Sequence, residues 1–357
     1  MSREEYSTKA LMSIDNRTLW SMLPKQGQQG FQEVWYLKLN DVESGRALWL
    51  RFTILTSKNG FKNVAETWAI FFERKDDGEI AKVALKQSFD IQSFSFFSSD
   101  TADSKRAFGV RIGPCEYTHN GTKGIIQSKG RTVSWNFNIN RGHESGFNMV
   151  PTVLTRLHLV KNKAVTVEED LRFTGTCEID GKSYTWNESP GMQGHLAGPK
   201  NGHSWVWAHC NTFSNEAGER VPSIFDGLTA KSRLQGSLTS PPLSTFYFYY
   251  NGKDYYFNSL WDSIRTRSRL TGTDWLFQAD RGELTFKGHA KAETKNFAGV
   301  TYEDTDGSFL YCSNSKLADL TILIYRKGKL ENSFNARGTA AFEIVSRTKN
   351  PYIPLLI

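Results

Sequence analysis

The fold of this chain is decided by residues 191–213, which read GMQGHLAGPKNGHSWVWAHCNTF. The first half of this stretch is rich in Gly and contains Pro199, a composition typical of loops. The second half alternates like a β-strand, which places Trp205, Trp207 and His209 on one face and smaller apolar residues on the other. The stretch therefore predicts a loop that leads into a strand with two indoles and an imidazole on one face.

The same two-residue alternation continues along most of the chain and predicts an all-β protein with minimal helix. Residues 33–40 alternate, a turn follows at Gly45, and residues 48–54 alternate again, as expected for a hairpin. Asp77-Gly78 is a dipeptide typical of tight hairpin turns. Further strands are predicted at residues 65–73, 80–85, 89–97, 110–117, 124–129, 131–139, 153–159, 165–176, 182–186, 224–229, 244–250, 255–260, 275–279, 281–288, 306–311, 317–326 and 339–345. One short helix is predicted at residues 15–22.

An internal repeat organises these strands. Residues 35–40 (WYLKLN) open a series of hairpins, and residues 205–211 (WVWAHCN) open a similar series about 170 residues later. Two copies of one barrel-like unit explain this order, because closing a sheet into a barrel removes its exposed edges. We expect two antiparallel β-barrels in tandem, with domains at residues 1–190 and 191–357 and the boundary near residues 188–202.

Composition and charge limit the partners of the protein. The net charge of +7 is spread over 357 residues without a recognisable nucleic-acid-binding module, so no nucleic-acid partner is expected. The N-terminus lacks the apolar segment of a secretory signal, and no run of about 18 apolar residues occurs. These features predict a cytoplasmic protein without an integral membrane segment. The four cysteines are widely spaced, so reduced, buried thiols are expected rather than disulfides.

The run W-x-W-x-H-C-N-x-F, which ends the opening stretch, resembles the lipocalin-like two-barrel superfamily. That superfamily includes tocopherol cyclases, carotenoid 1,2-hydratases, attachment-protein-H-like proteins and fungal decalin-forming Diels–Alderases. Its cyclases have a similar aromatic strand that ends in Cys-Asn-x-Phe, here Cys210, Asn211 and Phe213, but His209 stands where they have an amide side chain. Supporting runs are residues 33–36 (EVWY), 45–52 (GRALWLRF), 302–304 (YED), 311–315 (YCSNS) and 341–343 (AFE). The resemblance implies two lipocalin-like barrels and an apolar small-molecule ligand.

Two ionisable residues on apolar strand faces are the candidate catalytic residues. His209 is either a core histidine bonded to a backbone carbonyl or, as the resemblance favours, a donor that faces a ligand cavity. Glu33 shares a face with Trp35 and is either paired, exposed at the strand end, or protonated with a raised pKa and able to act as an acid. His195, His203 and His209 do not have the spacing of a common zinc site, so no metal is expected.

The candidate ligand-binding residues are mostly aromatic. The strands that open the two repeats should line the site, because there Trp and an ionisable group share a face. Tyr247 and Tyr249 share one face of a strand and belong either to plain core or to a cavity wall. The full set is Trp35, Trp205, Trp207, Asn211, Tyr247, Tyr249 and Trp261.

Two functions are compatible with these residues. The first is a cofactor-independent hydratase, cyclase or isomerase that acts on an isoprenoid- or polyketide-like molecule in an aromatic cavity, where indoles stabilise a carbocation. The second is a carrier that binds an apolar molecule without reaction. Motifs for nucleotides, for a hydrolase serine and for a zinc protease are absent from the sequence, so no cofactor is expected.

Overall fold

The computed structural model describes residues 3–20, 29–98, 108–233 and 238–357. Strands account for 64% of the protein and helices for 7%, which confirms the predicted all-β class. The strands form two antiparallel sheets, one of twelve strands and one of ten. Among the described helices, none is long and apolar enough to cross a membrane.

The first sheet occupies the first half of the chain. Its strands are β1 Phe31–Asp41, β2 Arg46–Thr56, β3 Asn63–Arg74, β4 Ile80–Asp90, β5 Phe94–Ser98, β6 Phe108–Ile112, β7 Cys115–Thr118, β8 Gly121–Ser128, β9 Arg131–Arg141, β10 Phe147–Asn148, β11 Lys163–Ile179 and β12 Lys182–Gly198. They lie in the order β4-β3-β2-β1-β12-β11-β9-β8-β7-β6-β5, and β10 pairs with β11.

The second sheet repeats this arrangement. Its strands are β13 Ser204–Cys210, β14 Ile224–Lys231, β15 Leu243–Tyr250, β16 Lys253–Phe257, β17 Arg267–Thr271, β18 Asp274–Arg281, β19 Leu284–Lys291, β20 Ala298–Glu303, β21 Phe309–Arg326 and β22 Lys329–Ser346. Their order is β16-β15-β14-β13-β22-β21-β19-β18-β17, and β20 pairs with β21. Strands β13 and β22 thus take the places of β1 and β12, so the predicted repeat is confirmed at the level of topology.

Each sheet curls on itself to form a barrel. In the first, the backbone N–H of Gln127 on β8 donates to Gln87 Oε1 on β4 over 3.1 Å. In the second, the hydroxyls of Thr229 on β14 and Ser268 on β17 lie 2.8 Å apart. One apolar cluster fills each barrel, and a third combines residues of both barrels. We call the contact region that holds this third cluster the seam.

The equivalent strands β1 and β13 differ in which side chains point into their barrels. On β1 the odd-numbered residues, such as Trp35 and Leu37, point into the barrel, whereas Tyr36 belongs to the seam. On β13 the even-numbered Val206 and Ala208 point inward. Because side chains alternate with period two, this difference turns the Trp205–Trp207 face of β13 out of its barrel and into the seam.

The glycine-rich stretch before β13 is a strand and not the predicted loop. Residues 191–198 belong to β12 and pair with β1. A Cβ at Gly194 would lie 2.3 Å from Tyr36 Cζ, and one at Gly191 would lie 2.2 Å from Lys38 O. The glycines therefore permit close packing rather than turns. The chain passes between the sheets at residues 199–203, so we propose the domain boundary there, since a division after residue 190 would cut β12.

The helices also differ from the prediction. They are α1 Arg3–Met12, α2 Thr152–Arg156 and α3 Leu260–Arg265. Residues 15–19 of the predicted helix are not helical, because tertiary hydrogen bonds to Glu33 hold this segment, and residues 21 and 22 lie outside the described residues. The predicted strand at 153–159 contains α2, for which the sheet offers no partner strand. The predicted strand at 255–260 ends at Phe257, because Ser259 and Asp262 form a capping box that starts α3.

Two other predicted elements are divided differently, and three strands lie outside the predicted ranges. Residues 110–117 form parts of β6 and β7, separated by a turn in which Gly113 has φ +53°. The predicted strand at 89–97 is interrupted by a short 3-10 helix at Ile91–Ser93. The strands outside the predicted ranges are β10, β17 and β20. All four cysteines are buried and free, as expected, and burial raises the pKa of Cys177 to about 12.

Candidate functional site

The seam contains an apolar cavity of about 190 Å³ between the two barrels. Its walls include residues of β1, β2, β11 and β12 of the first barrel and of β13, β14, β20 and β22 of the second. The aromatic side chains in the wall are Tyr36, Trp49, Trp205, Trp207 and Tyr302. Two of the predicted ligand-binding residues, Trp205 and Trp207, therefore border a cavity.

Three charged residues interrupt this apolar wall. Glu343 is 8% exposed, and its Oε1 accepts from Asn314 Nδ2 over 3.0 Å and from Lys316 Nζ over 2.8 Å. Arg51 lies over the rings of Trp68 and Tyr302, with its guanidinium carbon 4.9 and 4.4 Å from the ring centres. Lys163 is paired with Asp15 over 2.9 Å. The cavity thus combines aromatic faces with one fixed carboxylate, one stacked guanidinium and one paired ammonium.

A pair of buried carboxyl groups lies behind Trp207. Asp226 Oδ1 accepts from Trp207 Nε1 over 2.8 Å, and its other oxygen accepts from the hydroxyl of Thr166. Asp226 and Glu169 are both fully buried, and neither carboxyl oxygen of Glu169 has a hydrogen-bond partner among the described residues. Burial raises the pKa of Asp226 to about 6, and burial together with the charge of Asp226 raises the pKa of Glu169 well above its ordinary value. Two carboxyl groups in one buried site thus favour the protonated, uncharged form.

A row of neighbouring side chains leads from this pair to the cavity. Tyr36 on β1 and Thr166 on β11 flank Gly194 of β12, and Thr166 donates to Asp226. Burial and the neighbouring carboxylates raise the pKa of Tyr36 well above its ordinary value, so the phenol is neutral. Since Tyr36 lines the cavity, this row runs from the cavity wall to the buried carboxyl pair.

His209 lies beside the carboxyl pair but does not line the cavity. It is fully buried, and its Nε2 is 3.1 Å from the backbone oxygen of Glu169 and 3.4 Å from Glu169 Oε2. Burial, followed by the charge of Lys38, lowers the pKa of His209 well below its usual value, so the ring is neutral at pH 7. This placement corresponds to the alternative in which His209 bonds to a backbone carbonyl. Because the ring is neutral at pH 7, His209 does not carry the proton that an acid catalyst would donate.

Glu33 and Trp35 lie on the opposite face of β1, inside the first barrel. The Glu33 carboxylate accepts from Thr18 Oγ1 over 2.7 Å and from the N–H groups of Leu19 and Trp20 over 2.8 and 3.1 Å. His195 Nε2 lies 2.9 Å from its Oε1. Glu33 is thus a paired carboxylate that attaches the N-terminal segment to the first barrel. Odd-numbered residues point into the barrel on β1 but into the seam on β13, so Glu33 is separated from Trp205 and Trp207.

The remaining predicted site residues are dispersed. Asn211 and Tyr249 border a second, polar cleft of about 540 Å³. The Tyr247 hydroxyl is bonded within the protein, 2.8 Å from Ser145 Oγ and 2.7 Å from Asp254 Oδ1. Trp261 lies on α3 and is 72% exposed, so the structure does not place it in either cavity.

The sequence analysis missed Tyr36, Thr166, Glu169 and Asp226. One signal was present, because three consecutive acidic residues, 168–170, fall within a predicted strand that is otherwise largely apolar. The register shifts of β11 around these residues mean that alternation alone could not assign Glu169 to the seam. Over the ranges that the structure describes, no group of three or more His, Cys, Asp and Glu side chains is arranged to hold a metal ion.

Replacing Gly194 by Ala is expected to lower the free energy of unfolding by about 1–3 kcal/mol. The new methyl group would lie within 2.4 Å of the Tyr36 hydroxyl and force the phenol away from its place in the cavity wall. Urea unfolding measures the loss. Gly202→Ala is the matched control, because a Cβ there meets its nearest atom only at 3.4 Å; equal losses in both variants would contradict the expectation.

Comparisons with known proteins identify the class of fold. No family model matches the chain. Two uncharacterized proteins from strains of Mycobacterium tuberculosis are each 23% identical to it over 335 residues, which cover 92% of this chain and 94% of theirs. Among solved structures, a Nitrosomonas europaea protein described as an AttH superposes with a TM-score of 0.51 at 9% identity, over 94% of this chain and 98% of that chain. CghA superposes with a TM-score of 0.57 at 8% identity, over 90% of each chain.

These similarities extend over both barrels. The chain therefore shares the two-barrel fold of these solved structures.

Proposed function

We propose that the protein binds an extended apolar small molecule in the cavity of the seam and hydrates, cyclises or isomerises it by acid–base catalysis without a dissociable cofactor. The observation that carries this proposal is the pair of fully buried carboxyl groups of Glu169 and Asp226, which Thr166 and Tyr36 connect to the cavity wall. Burying ionisable groups costs several kcal/mol unless they are fully paired. A fold that keeps such a pair next to an apolar cavity is typical of a functional site.

We assign a role to each group. Tyr36 donates its proton to a carbonyl or hydroxyl oxygen of the bound molecule, and the Thr166 hydroxyl turns from Asp226 to the phenolate and returns a proton to it. Thr166 in turn takes the proton of the carboxyl pair. When the substrate or an added water later loses a proton, the proton returns along the same route and restores the starting state.

The cavity wall suits the positive charge that protonation creates. Trp207 and Trp205 present indole faces, whose attraction for a desolvated cation is worth about 2 kcal/mol. The Glu343 carboxylate is paired with Lys316, whose Nζ lies 5.6 Å from the ring centre of Trp207, and so offsets that positive charge. The indole faces would then stabilise a cationic intermediate more than the neutral substrate, as catalysis requires.

Binding can be tested with cis-parinaric acid, a fluorescent polyene that quenches nearby tryptophans. We expect the natural protein to bind the probe saturably and Trp207→Leu to abolish most of the quenching, because the indole forms part of the cavity wall. Trp261→Leu is the matched control, since this exposed indole lies on the outer surface. Equal loss of binding in both variants, with both folded by circular dichroism, would refute the assignment of the cavity.

Catalysis and simple carriage can be separated in deuterated water. The natural protein and Glu169→Gln are incubated with a panel of polyenes and linear polyketide-like ketones, and the products are analysed by mass spectrometry. An enzyme produces hydrated, cyclised or deuterium-exchanged species, and Glu169→Gln, which lacks the acidic proton, loses this activity while it still binds parinarate. A carrier binds equally well in both forms and changes no compound.

A further inference from the structure

The second cleft, of about 540 Å³, lies at the other end of the seam and is polar. Along β13 the seam face runs from Trp205 and Trp207 at the apolar cavity, past His209, to Asn211 at this cleft. A strand advances about 3.3 Å per residue, so the two walls are about 13 Å apart along β13. The cleft is therefore a separate site from the cavity to which the proposed reaction belongs.

Most polar groups of the cleft are satisfied by the protein itself. Asp170 accepts from Asn211 Nδ2 over 2.8 Å and from the His143 N–H over 3.0 Å, and it forms an ion pair with Arg172. Glu188 Oε1 accepts from Thr174 Oγ1 over 3.0 Å. These two carboxylates therefore make the wall acidic without leaving strong acceptors open.

Two groups in the cleft, Arg220 and Asn211, can form further polar interactions with a ligand. The guanidinium of Arg220 is exposed and makes neither an ion pair nor a hydrogen bond with any residue that the structure describes. Asn211 is only 9% exposed, and its amide nitrogen is already bonded to Asp170 and to Gly191 O, over 2.8 and 3.0 Å. Its Oδ1 has no partner in the described part of the chain. A buried acceptor without a donor is destabilising, and a ligand hydroxyl would supply the missing donor.

We propose that this cleft binds a small hydroxylated monocarboxylate, such as a hydroxy acid or a sugar acid. The carboxylate pairs with Arg220, whose planar guanidinium matches a carboxylate in a two-pronged arrangement. A hydroxyl of the ligand donates to Asn211 Oδ1. A singly charged acid is preferred over a phosphate, because the wall already contains the carboxylates of Asp170 and Glu188, which repel a second negative charge.

The proposal is tested on the whole protein by calorimetric titration with D-gluconate. We expect saturable binding that Arg220→Ala weakens about tenfold or more. Arg267→Ala is the matched control, because Arg267 is an exposed arginine on β17 and lies outside the cleft. Arg220→Lys keeps the positive charge and should retain part of the affinity, which would show that the loss in Arg220→Ala does not come from misfolding. Circular dichroism of each variant checks the fold.

Two further ligands test the chemistry of recognition. Glycerate should bind more tightly than propionate, which lacks the hydroxyls, and inorganic phosphate should bind less tightly than gluconate. Gluconate binding that is absent, that is unaffected by Arg220→Ala, or that is matched by propionate or exceeded by phosphate would overturn the proposal. Parinarate binding in Arg220→Ala should remain unchanged, so failure at this cleft is distinguishable from failure of the proposed function at the cavity.

Discussion

Replacing Glu33 by Ala is expected to lower the free energy of unfolding by about 3–5 kcal/mol. The carboxylate is fully buried and accepts from Thr18, Leu19 and Trp20, while His195 approaches it from β12. Removing it leaves several buried donors without an acceptor, and each orphaned group carries its own desolvation cost. Urea unfolding followed by tryptophan fluorescence gives the difference.

A matched exposed carboxylate gives the comparison for this loss. Glu331 forms a surface ion pair with Arg326, 2.9 Å apart, and both partners are partly exposed, so Glu331→Ala should cost less than about 1 kcal/mol. Glu33→Gln keeps the shape but puts an N–H where an acceptor is needed, and it should fall between the two. A loss for Glu33→Ala no larger than that for Glu331→Ala would show that the N-terminal segment is held by other contacts.

The second large effect concerns Asp226 and pH. Its pKa is raised from 3.8 to about 6 in the folded protein, so the folded state holds a proton that the unfolded state releases. The stabilisation from this proton is present at low pH and is lost as pH rises from about 4 through about 6. The shift corresponds to about 3 kcal/mol. We therefore expect the stability of the natural protein, relative to Asp226→Asn, to fall by about that amount between about pH 4 and about pH 7.

Subtracting the free energy of unfolding of Asp226→Asn from that of the natural protein removes the contribution of His209, which changes with pH in the opposite direction. The lowered pKa of His209 makes both proteins less stable as pH falls below its unfolded value, and to first approximation this effect is common to both. Asp280 lies on the exposed surface of β18, and Asp280→Asn should shift stability by a constant amount across the same range. A difference for Asp226→Asn that does not change with pH would mean that burial does not raise the pKa of Asp226.

The fold could be predicted because its determinants are local and repeated. Alternation along residues 33–40 and 205–210 and Gly-containing turns such as Asp77-Gly78 specify strands and hairpins without knowledge of their partners. The recurrence of the same series then indicated two barrels. Where tertiary contacts compete with local pattern, prediction failed: Gly194 packs against Tyr36 within a strand, and residues 15–19 follow the hydrogen bonds of Glu33.

The candidate site was predictable only in part. The sequence shows that Trp205, Trp207 and His209 share a face, and the structure places that face in the seam. It cannot show that the matching face of β1, with Glu33 and Trp35, points into the barrel instead, because alternation defines two faces but not which of them meets the other barrel. Nor can it show that Glu169 on β11 meets Asp226 on β14, since these strands belong to different sheets.

The carboxyl pair draws its residues from both barrels, and this has a consequence for how the gene can be divided or recombined. Thr166 and Glu169 are contributed by one barrel, and Asp226 and Trp207 by the other, so a gene encoding a single barrel carries only half of this site. The seam is an internal surface that is neither the core of a barrel nor its exterior, so acidic residues there disturb neither interior. A recombinant that joins one half to the corresponding half of a distant relative should therefore fold its barrels but lose the carboxyl pair.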